Sequence, residues 1–289
     1  MIKKAILAVV CFLQFGNLFV ARAGDSRTSD SRKGRYDRTV VLATTTSVED
    51  SGLLDFIVPV FKKKHGCRVK VIAVGTGQAI RLGRDGNADI LFVHDRQSEE
   101  EFVRDGFGTQ RHEVMYNYFV IIGPGDDPAG IKSSTGVVDA FEKIARKDAF
   151  FVSRGDNSGT HKRETLIWEK ARDARTRMKN YMESGSGMEL TLRIADEKRA
   201  YCLTDKSTWL HHSGKLKSLA LLFDNDTLLY NPYSLIPVSP EKFPRANHGC
   251  AKKFVEFLTG NEGKGLIKEF GKKIYGGPLF CPITPGYVP

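Results

Sequence analysis

Ser153-Arg154-Gly155-Asp156-Asn157-Ser158-Gly159-Thr160-His161 runs directly into Lys162 to Arg172, a stretch with the character of a helix. The first backbone N–H groups of a helix have no partner inside it and carry a partial positive charge. Glycines allow an anion to approach that backbone closely, and the hydroxyls of Ser158 and Thr160 add donors. Arg154 adds a charged, forked donor. The stretch has the chemistry of a cradle for a small tetrahedral oxyanion.

Upstream, the chain alternates short apolar runs with helical ones. Strands are expected at Val40 to Ala43, Val69 to Val74 and Ala88 to Val93, the last ending at His94-Asp95. Ser47 to Gly52 leads into a helix expected through about Lys64, carrying Leu53, Leu54, Ile57, Val60 and Phe61 on one side, and further helices are expected from Gln78 to Arg84 and from Ser98 to Asp105. Pro59 inside the first of these either kinks it or starts a later helix. Strands separated by helices imply an α/β protein with a largely parallel sheet and right-handed crossovers.

Further strands are expected at Met115 to Ile122, Ala149 to Val152, Leu219 to Phe223, Leu228 to Tyr230 and Tyr233 to Val238. Tyr201-Cys202-Leu203-Thr204 is an apolar patch, and helices are expected at Ser134 to Lys147, Met188 to Ala200, Ala246 to Phe257 and Gly263 to Phe270. At 289 residues the chain is long for one core, so two lobes are expected. If Met115–Ile122 crosses out of the first lobe and Tyr230–Val238 crosses back, lobe I holds residues 39–117 and 236–289, and lobe II holds 118–235. A cleft between two such lobes suits a ligand-binding protein that closes like a hinge.

Two other segments repeat the design of strand, hydroxyl- or glycine-rich turn, then helix: Thr44-Thr45-Thr46-Ser47 and Gly75-Thr76-Gly77. Singly, a Thr/Ser run is an ordinary helix cap and Gly-Thr-Gly an ordinary turn. Together with Arg154 to Thr160, they place donors at matched positions in two lobes, at strand ends where α/β sheets bind ligands.

The N-terminus carries Lys3 and Lys4, then a mostly apolar run from Ala5 to Val20, then Ala21-Arg22-Ala23, which has the form of a signal-peptidase site. Residues 1–23 read as a signal peptide cleaved after Ala23, so that the mature chain is expected to be exported. Residues 24–38 are polar and read as a flexible leader. The formal net charge is +10, and removing Lys3, Lys4 and Arg22 leaves the mature chain near +7. That balance favours anionic partners, although no nucleic-acid motif is present. After cleavage, Cys67, Cys202, Cys250 and Cys281 remain, enough for up to two disulfides in three pairings. A Cys250–Cys281 bridge, tying the C-terminal tail to the helix before it, is one of these. His211 and His212 lie in a polar stretch and are assigned no metal role.

The residues resemble a family, the tungstate-binding periplasmic proteins of ABC transporters, a group within the type II periplasmic oxyanion-binding proteins. The matching pieces are Leu42 to Ser47 with Asp50 to Leu54, Val74 to Ala79, Ala88 to His94, Asn117 to Pro124 and Phe151 to His161. Tyr230-Asn231-Pro232-Tyr233 and the helix Ala251 to Gly260 continue the match. Only the leader is longer than the family needs. The resemblance implies a two-lobed fold with tungstate held between the lobes. Thr44, Thr45, Thr46 and Ser47 would bind from lobe I, with Gly75, Thr76 and Gly77 offering backbone N–H groups. Arg154, Ser158 and Thr160 would bind from lobe II. No cofactor and no catalytic residue are implied. The partners would be a membrane permease with its ATPase, and a monomer suits a hinge-closing binder.

Tungstate at neutral pH is a dianion without a proton, so its site needs donors only, whereas a phosphate site benefits from a carboxylate acceptor. Asp156 is therefore expected to turn to Arg154, His161 or the helix start. Molybdate has the same charge and nearly the same size and is not separated from tungstate by any motif. Phosphate, through Asp156, is a further alternative. A hydrolase or transferase acting on phosphorylated or sulfated substrates is the rival class, but Ser153 and Ser158 have no nucleophile elbow and no metal-ligand cluster beside them.

Overall fold

A computed structural model describes residues 38–284; the signal-peptide reading, and the leader apart from Arg38, lie outside the described residues. In chain order the first elements are β1 (Thr39–Thr45), α1 (Thr46–Asp50), α2 (Leu53–His65), β2 (Arg68–Val74), α3 (Thr76–Arg84), β3 (Ile90–Val93), α4 (Arg96–Arg104) and β4 (His112–Pro124). Then come α5 (Val137–Arg146), β5 (Phe151–Ser153), α6 (Gly159–Lys170), β6 (Tyr181–Glu183), α7 (Met188–Lys198), β7 (Cys202–Asp205), α8 (Lys206–His212) and β8 (Leu219–Phe223). The chain closes with β9 (Tyr230–Pro237), α9 (His248–Thr259), α10 (Asn261–Glu269), α11 (Lys272–Tyr275) and β10 (Cys281–Pro282).

Strand β1 pairs in parallel with both β2 and β3. Its residues alternate between two cores, as a centrally placed strand buried on both faces must. Val40 and Leu42 join a core formed with α2, α9 and α10, while Ala43 joins one formed with α3 and α4. Ile90 and Phe92 of β3 face the first core, and Leu91 and Val93 the second. Strand β4 belongs to two groups of strands. Its first half pairs with β9 and β10, and its second half with β7 and β8. Phe119 and Ile121 then face a core with α5 and α6, and Val120 and Ile122 one with α7.

The sheet is not largely parallel. Every partner of β4 is antiparallel to it, and β9 also runs against β3. The helix expected through about Lys64 is α2, which continues through Pro59, while the segment leading into it forms a short helix of its own, α1, with Ser51 and Gly52 between the two. Leu228 lies in a short 3-10 turn, Thr227–Leu229, before β9. Strand β6 and helices α8 and α11 had no counterpart in the sequence reading.

The disulfide joins Cys67 to Cys250, with Cα atoms 6.0 Å apart. The Cys250–Cys281 pairing is thereby corrected: Cys281 is a free thiol on β10, opposite Tyr116 of β4. The tail is held there by strand pairing, while the start of α9 is tied to the start of β2.

Candidate oxyanion site

The parallel strands carry their turns to one place. Thr45 is level with Val74, and Thr44 with Phe92, so the tips of β1, β2 and β3 lie side by side. Thr45-Thr46-Ser47, Gly75-Thr76 and His94 follow from those tips, at the carboxyl edge where open α/β sheets bind ligands. Thr45, Ser47, Thr76 and His94 are all buried despite their polarity. Thr45 Oγ1 lies 3.0 Å from Ser47 Oγ, and Ser47 Oγ lies 3.4 Å from His94 Nε2. At the start of α3, the N–H groups of Thr76 and Gly77 have no acceptor within the helix.

The other contribution comes from the turn between β5 and α6. Its seat is rigid: Trp168 of α6 is fully buried, with its ring centroid 4.4 Å from that of Phe141 and 5.2 Å from that of Phe151. Such aromatic packing fixes the strand end and the helix start together. Gly155 takes φ 62°, and a β-carbon there would lie 2.6 Å from Glu183 Cβ, so only glycine fits. Asn157 is also left-handed, with φ 57°. Ser158 caps α6, its Oγ accepting from His161 N at 3.3 Å. The N–H groups of Gly159 and Thr160 remain without a helical acceptor.

Both carboxylate oxygens of Asp156 are engaged by neighbouring donors. Oδ2 pairs with Arg154 Nη2, and Oδ1 accepts from Ser158 N at 3.1 Å. Arg154 is buried, and its Nε has no hydrogen-bond partner. Thr76 Oγ1 is likewise buried and unpartnered. Buried polar groups are almost always paired, so two orphans within the expected site are informative. His161 Nδ1 accepts from Asn157 N at 3.0 Å, which removes it as a base for Ser158.

The two sets of turns meet. A β-carbon on Gly159 would lie 2.8 Å from His94 Cε1 and 3.2 Å from Thr76 Oγ1. Beside this contact, Lys162 Nζ on α6 lies 2.5 Å from both Asp95 Oδ2 and Ser98 Oγ at the start of α4. A crevice of about 630 Å³ opens there, bordered by His94, Asp95, Asn157, Gly159, His161 and Lys162. It is far larger than a tetrahedral oxyanion, and of the buried set Thr45, Ser47, Thr76 and His94 only His94 borders it.

Not every expected residue converges. Thr44 is buried, but its hydroxyl donates to the Phe92 carbonyl at 2.8 Å, a bond that joins β1 to β3. Thr46 is half-buried and borders a separate crevice with Asp50 and Met188. Gly75 is half-buried and Gly77 exposed. Ser158 and Thr160 are buried.

The sequence reading missed a polar layer beneath these turns. Burial lowers the His94 pKa below the ordinary histidine range, against the opposing charge of Asp205 and a hydrogen bond with Asn231. Its ring packs on Tyr233, with centroids 4.7 Å apart. Asp205, fully buried, caps α8 and accepts from Thr208 N at 3.0 Å, Thr208 Oγ1 at 2.6 Å and Ser207 Oγ. The signal was present: Asp205 ends a strand three residues before Thr208, which marks an N-cap. Asn117 and Asn231 stand out as buried amides within largely apolar strands.

Known proteins share this arrangement of elements. Residues 23–262 match the PBP superfamily domain. The chain is 42% identical over 262 residues to the tungstate-binding protein TupA of Peptoclostridium acidaminophilum, covering 90% of this chain and 91% of that one. The tungstate-binding protein TupA from Desulfovibrio alaskensis G20 superposes with a TM-score of 0.76 at 41% identity, over 85% of this chain and 99% of that one. The tungstate ABC transporter structure from Geobacter sulfurreducens superposes with a TM-score of 0.72 at 44% identity, over 79% and 97%. With the same fold and close identity over nearly its whole length, the chain belongs to the PBP superfamily and, within it, to the family of tungstate-binding proteins.

Proposed function

We propose that this protein is the extracytoplasmic solute-binding component of an ABC transporter, capturing tungstate and delivering it to a permease with its ATPase. On this reading lobe I is residues 39–117 and 236–289, lobe II is 118–235, and the anion lies between them. Thr45, Ser47, Thr76 and the first N–H groups of α3 face it from one side, and Arg154, Ser158, Thr160 and the start of α6 from the other. The ion itself is carried over from the relatives. The observation that supports it here is the pair of unpartnered buried groups, Arg154 Nε and Thr76 Oγ1, in a site whose carboxylates are already occupied.

A dianion without a proton wants such a site. Hydrogen phosphate would find no free carboxylate to take its own proton, because Asp156 and Asp205 are both committed to donors. Molybdate satisfies the same donors and is the second reading. A hydrolase lacks support, since His161 faces Asn157 N and not the Ser158 hydroxyl. The mature protein would act as a monomer in the periplasm. Native mass spectrometry after incubation with tungstate tests capture: the expected result is a single tungstate per chain, lost in Arg154→Ala. A chain that acquires none would overturn the reading.

A further inference from the structure

Behind the turns, a chain of hydrogen bonds has a fixed direction. The Asp205 carboxylate accepts from Ser207, from Thr208 and, at 3.4 Å, from Asn117 Nδ2. Asn117 Nδ2 also lies 3.4 Å from Ser207 Oγ, whose proton already goes to Asp205. Both neighbours therefore demand the amide NH2 of Asn117, leaving its Oδ1 for the opposite side. There Asn231 Nδ2 donates to it at 2.7 Å and to the Tyr233 hydroxyl at 3.0 Å. Asn117 and Asn231 are cross-strand partners on β4 and β9. With its NH2 so committed, Asn231 meets His94 Nδ1 through Oδ1, at 2.9 Å, and an amide oxygen can only accept. Nδ1 must carry the hydrogen. Burial keeps the imidazole neutral, so Nε2 is bare, and it faces Ser47 Oγ at 3.4 Å.

We propose that His94 is a positioning residue of the oxyanion site: Asp205, acting through Asn117 and Asn231, sets its Nδ1–H tautomer, and Nε2 thereby becomes the acceptor that holds the Ser47 hydroxyl at the tip of β1. Ser47 in turn holds Thr45, 3.0 Å away. The relay begins at the β7–α8 turn and ends at the β1–α1 turn, so it ties together two turns that frame the site. Its use is preorganisation: the Ser47 oxygen is already held in one side-chain rotamer, so that only its proton has to turn when the anion arrives. The bond to Nε2 is long, which lets Ser47 yield its proton to a stronger acceptor. This inference rests on the reading of the site as an oxyanion receptor.

Two measurements test it. On the wild-type chain labelled with 15N-histidine, a two-bond proton–nitrogen correlation reads which ring nitrogen of His94 is protonated; Nδ1–H is expected, and Nε2–H would overturn the proposal. No variant is needed for that reading, so it stands even if a substitution prevents folding. The second is a double-mutant cycle of His94→Phe, which keeps a ring on Tyr233, with Ser47→Ala, read by tungstate calorimetry. His94→Phe alone should weaken binding by about threefold to tenfold, the scale of one lost preorganised rotamer. In the Ser47→Ala background it should have no further effect. Additive losses, an unchanged affinity or a gain on His94→Phe would each overturn the role of His94. A wild-type chain that binds no tungstate would instead overturn the oxyanion reading, and the tautomer result would show separately whether the relay is set as described.

Discussion

Gly159 and His94 touch so closely that a single methyl group does not fit between them: a β-carbon on Gly159 would lie 2.8 Å from the His94 ring. The helix that begins at Gly159 and the turn that follows β3 are thus seated against one another across the candidate site. Gly159→Ala should separate them by a few tenths of an ångström or more. Overpacking of this kind costs roughly 1–3 kcal/mol. We expect tungstate affinity to fall by an order of magnitude or more in calorimetry, with Thr76, 3.2 Å from the same β-carbon, also displaced. An unchanged affinity would mean that the anion does not depend on this contact.

Arg154 uses one arm of its guanidinium on Asp156 and leaves Nε unpartnered. Arg154→Lys keeps a charge but loses the planar fork. Hydrogen bonds to charged groups contribute about 1.5–3 kcal/mol, which predicts roughly tenfold to hundredfold weaker tungstate binding. Isothermal calorimetry of the variant measures this directly, and equal affinity would remove Arg154 from contact with the anion.

The Cys67–Cys250 disulfide spans 183 residues of sequence. Closing so long a loop in the unfolded chain is worth up to about 5 kcal/mol, although strain and residual structure commonly reduce it. Replacing both cysteines with alanine should therefore lower the denaturant midpoint by the equivalent of roughly 2–5 kcal/mol. The disulfide anchors the ends of β2 and α9 that face away from the strand tips, so tungstate affinity at a temperature where the variant remains folded should hardly change.

Glu164 lies one turn beyond Thr160 on α6, where Trp168 Nε1 donates to it at 3.1 Å and Tyr181 Oη at 3.0 Å. Burial pushes its pKa up to about 7, against the lowering effect of these donors and of Ser153. A raised carboxyl pKa means that the folded chain holds a proton which the unfolded chain has released. The resulting stability is complete below the ordinary glutamate pKa of 4.5, which the unfolded chain keeps, and is lost as pH rises through about 7. Urea unfolding from about pH 5 to pH 8 should show wild type losing stability relative to Glu164→Gln, by on the order of 3 kcal/mol. Parallel curves for the two chains would show that Glu164 does not titrate in this window.

Much of the candidate site is legible in the sequence because its parts are local. Thr45 to Ser47, Gly75 to Thr76 and Ser158 to Thr160 each follow a strand and open a helix, a pattern contained within about a dozen residues. The cores of β1 and β3 were equally legible from their unbroken apolar runs. What escaped was long-range. His94 and Asn231 are 137 residues apart, and their bond depends on β3 and β9 lying together. Cys67 finds Cys250 only because α9 packs by the start of β2, while Cys281 is drawn into the sheet by β4. The antiparallel half of the sheet follows from the direction of β4 and β9, which apolar patterning does not encode. Asp205 escapes notice because the apolar patch Tyr201 to Thr204 ends one residue before it.

The central claim is that this site holds an unprotonated tetrahedral dianion by donors alone. Calorimetric titration of the anion-free mature chain with tungstate, molybdate, sulfate and phosphate tests it most directly. The account predicts tight binding of tungstate with a stoichiometry of one, molybdate near it, and sulfate and phosphate much weaker. Phosphate binding most tightly would contradict it, because Asp156 would then have to leave Arg154 and accept the ligand's proton.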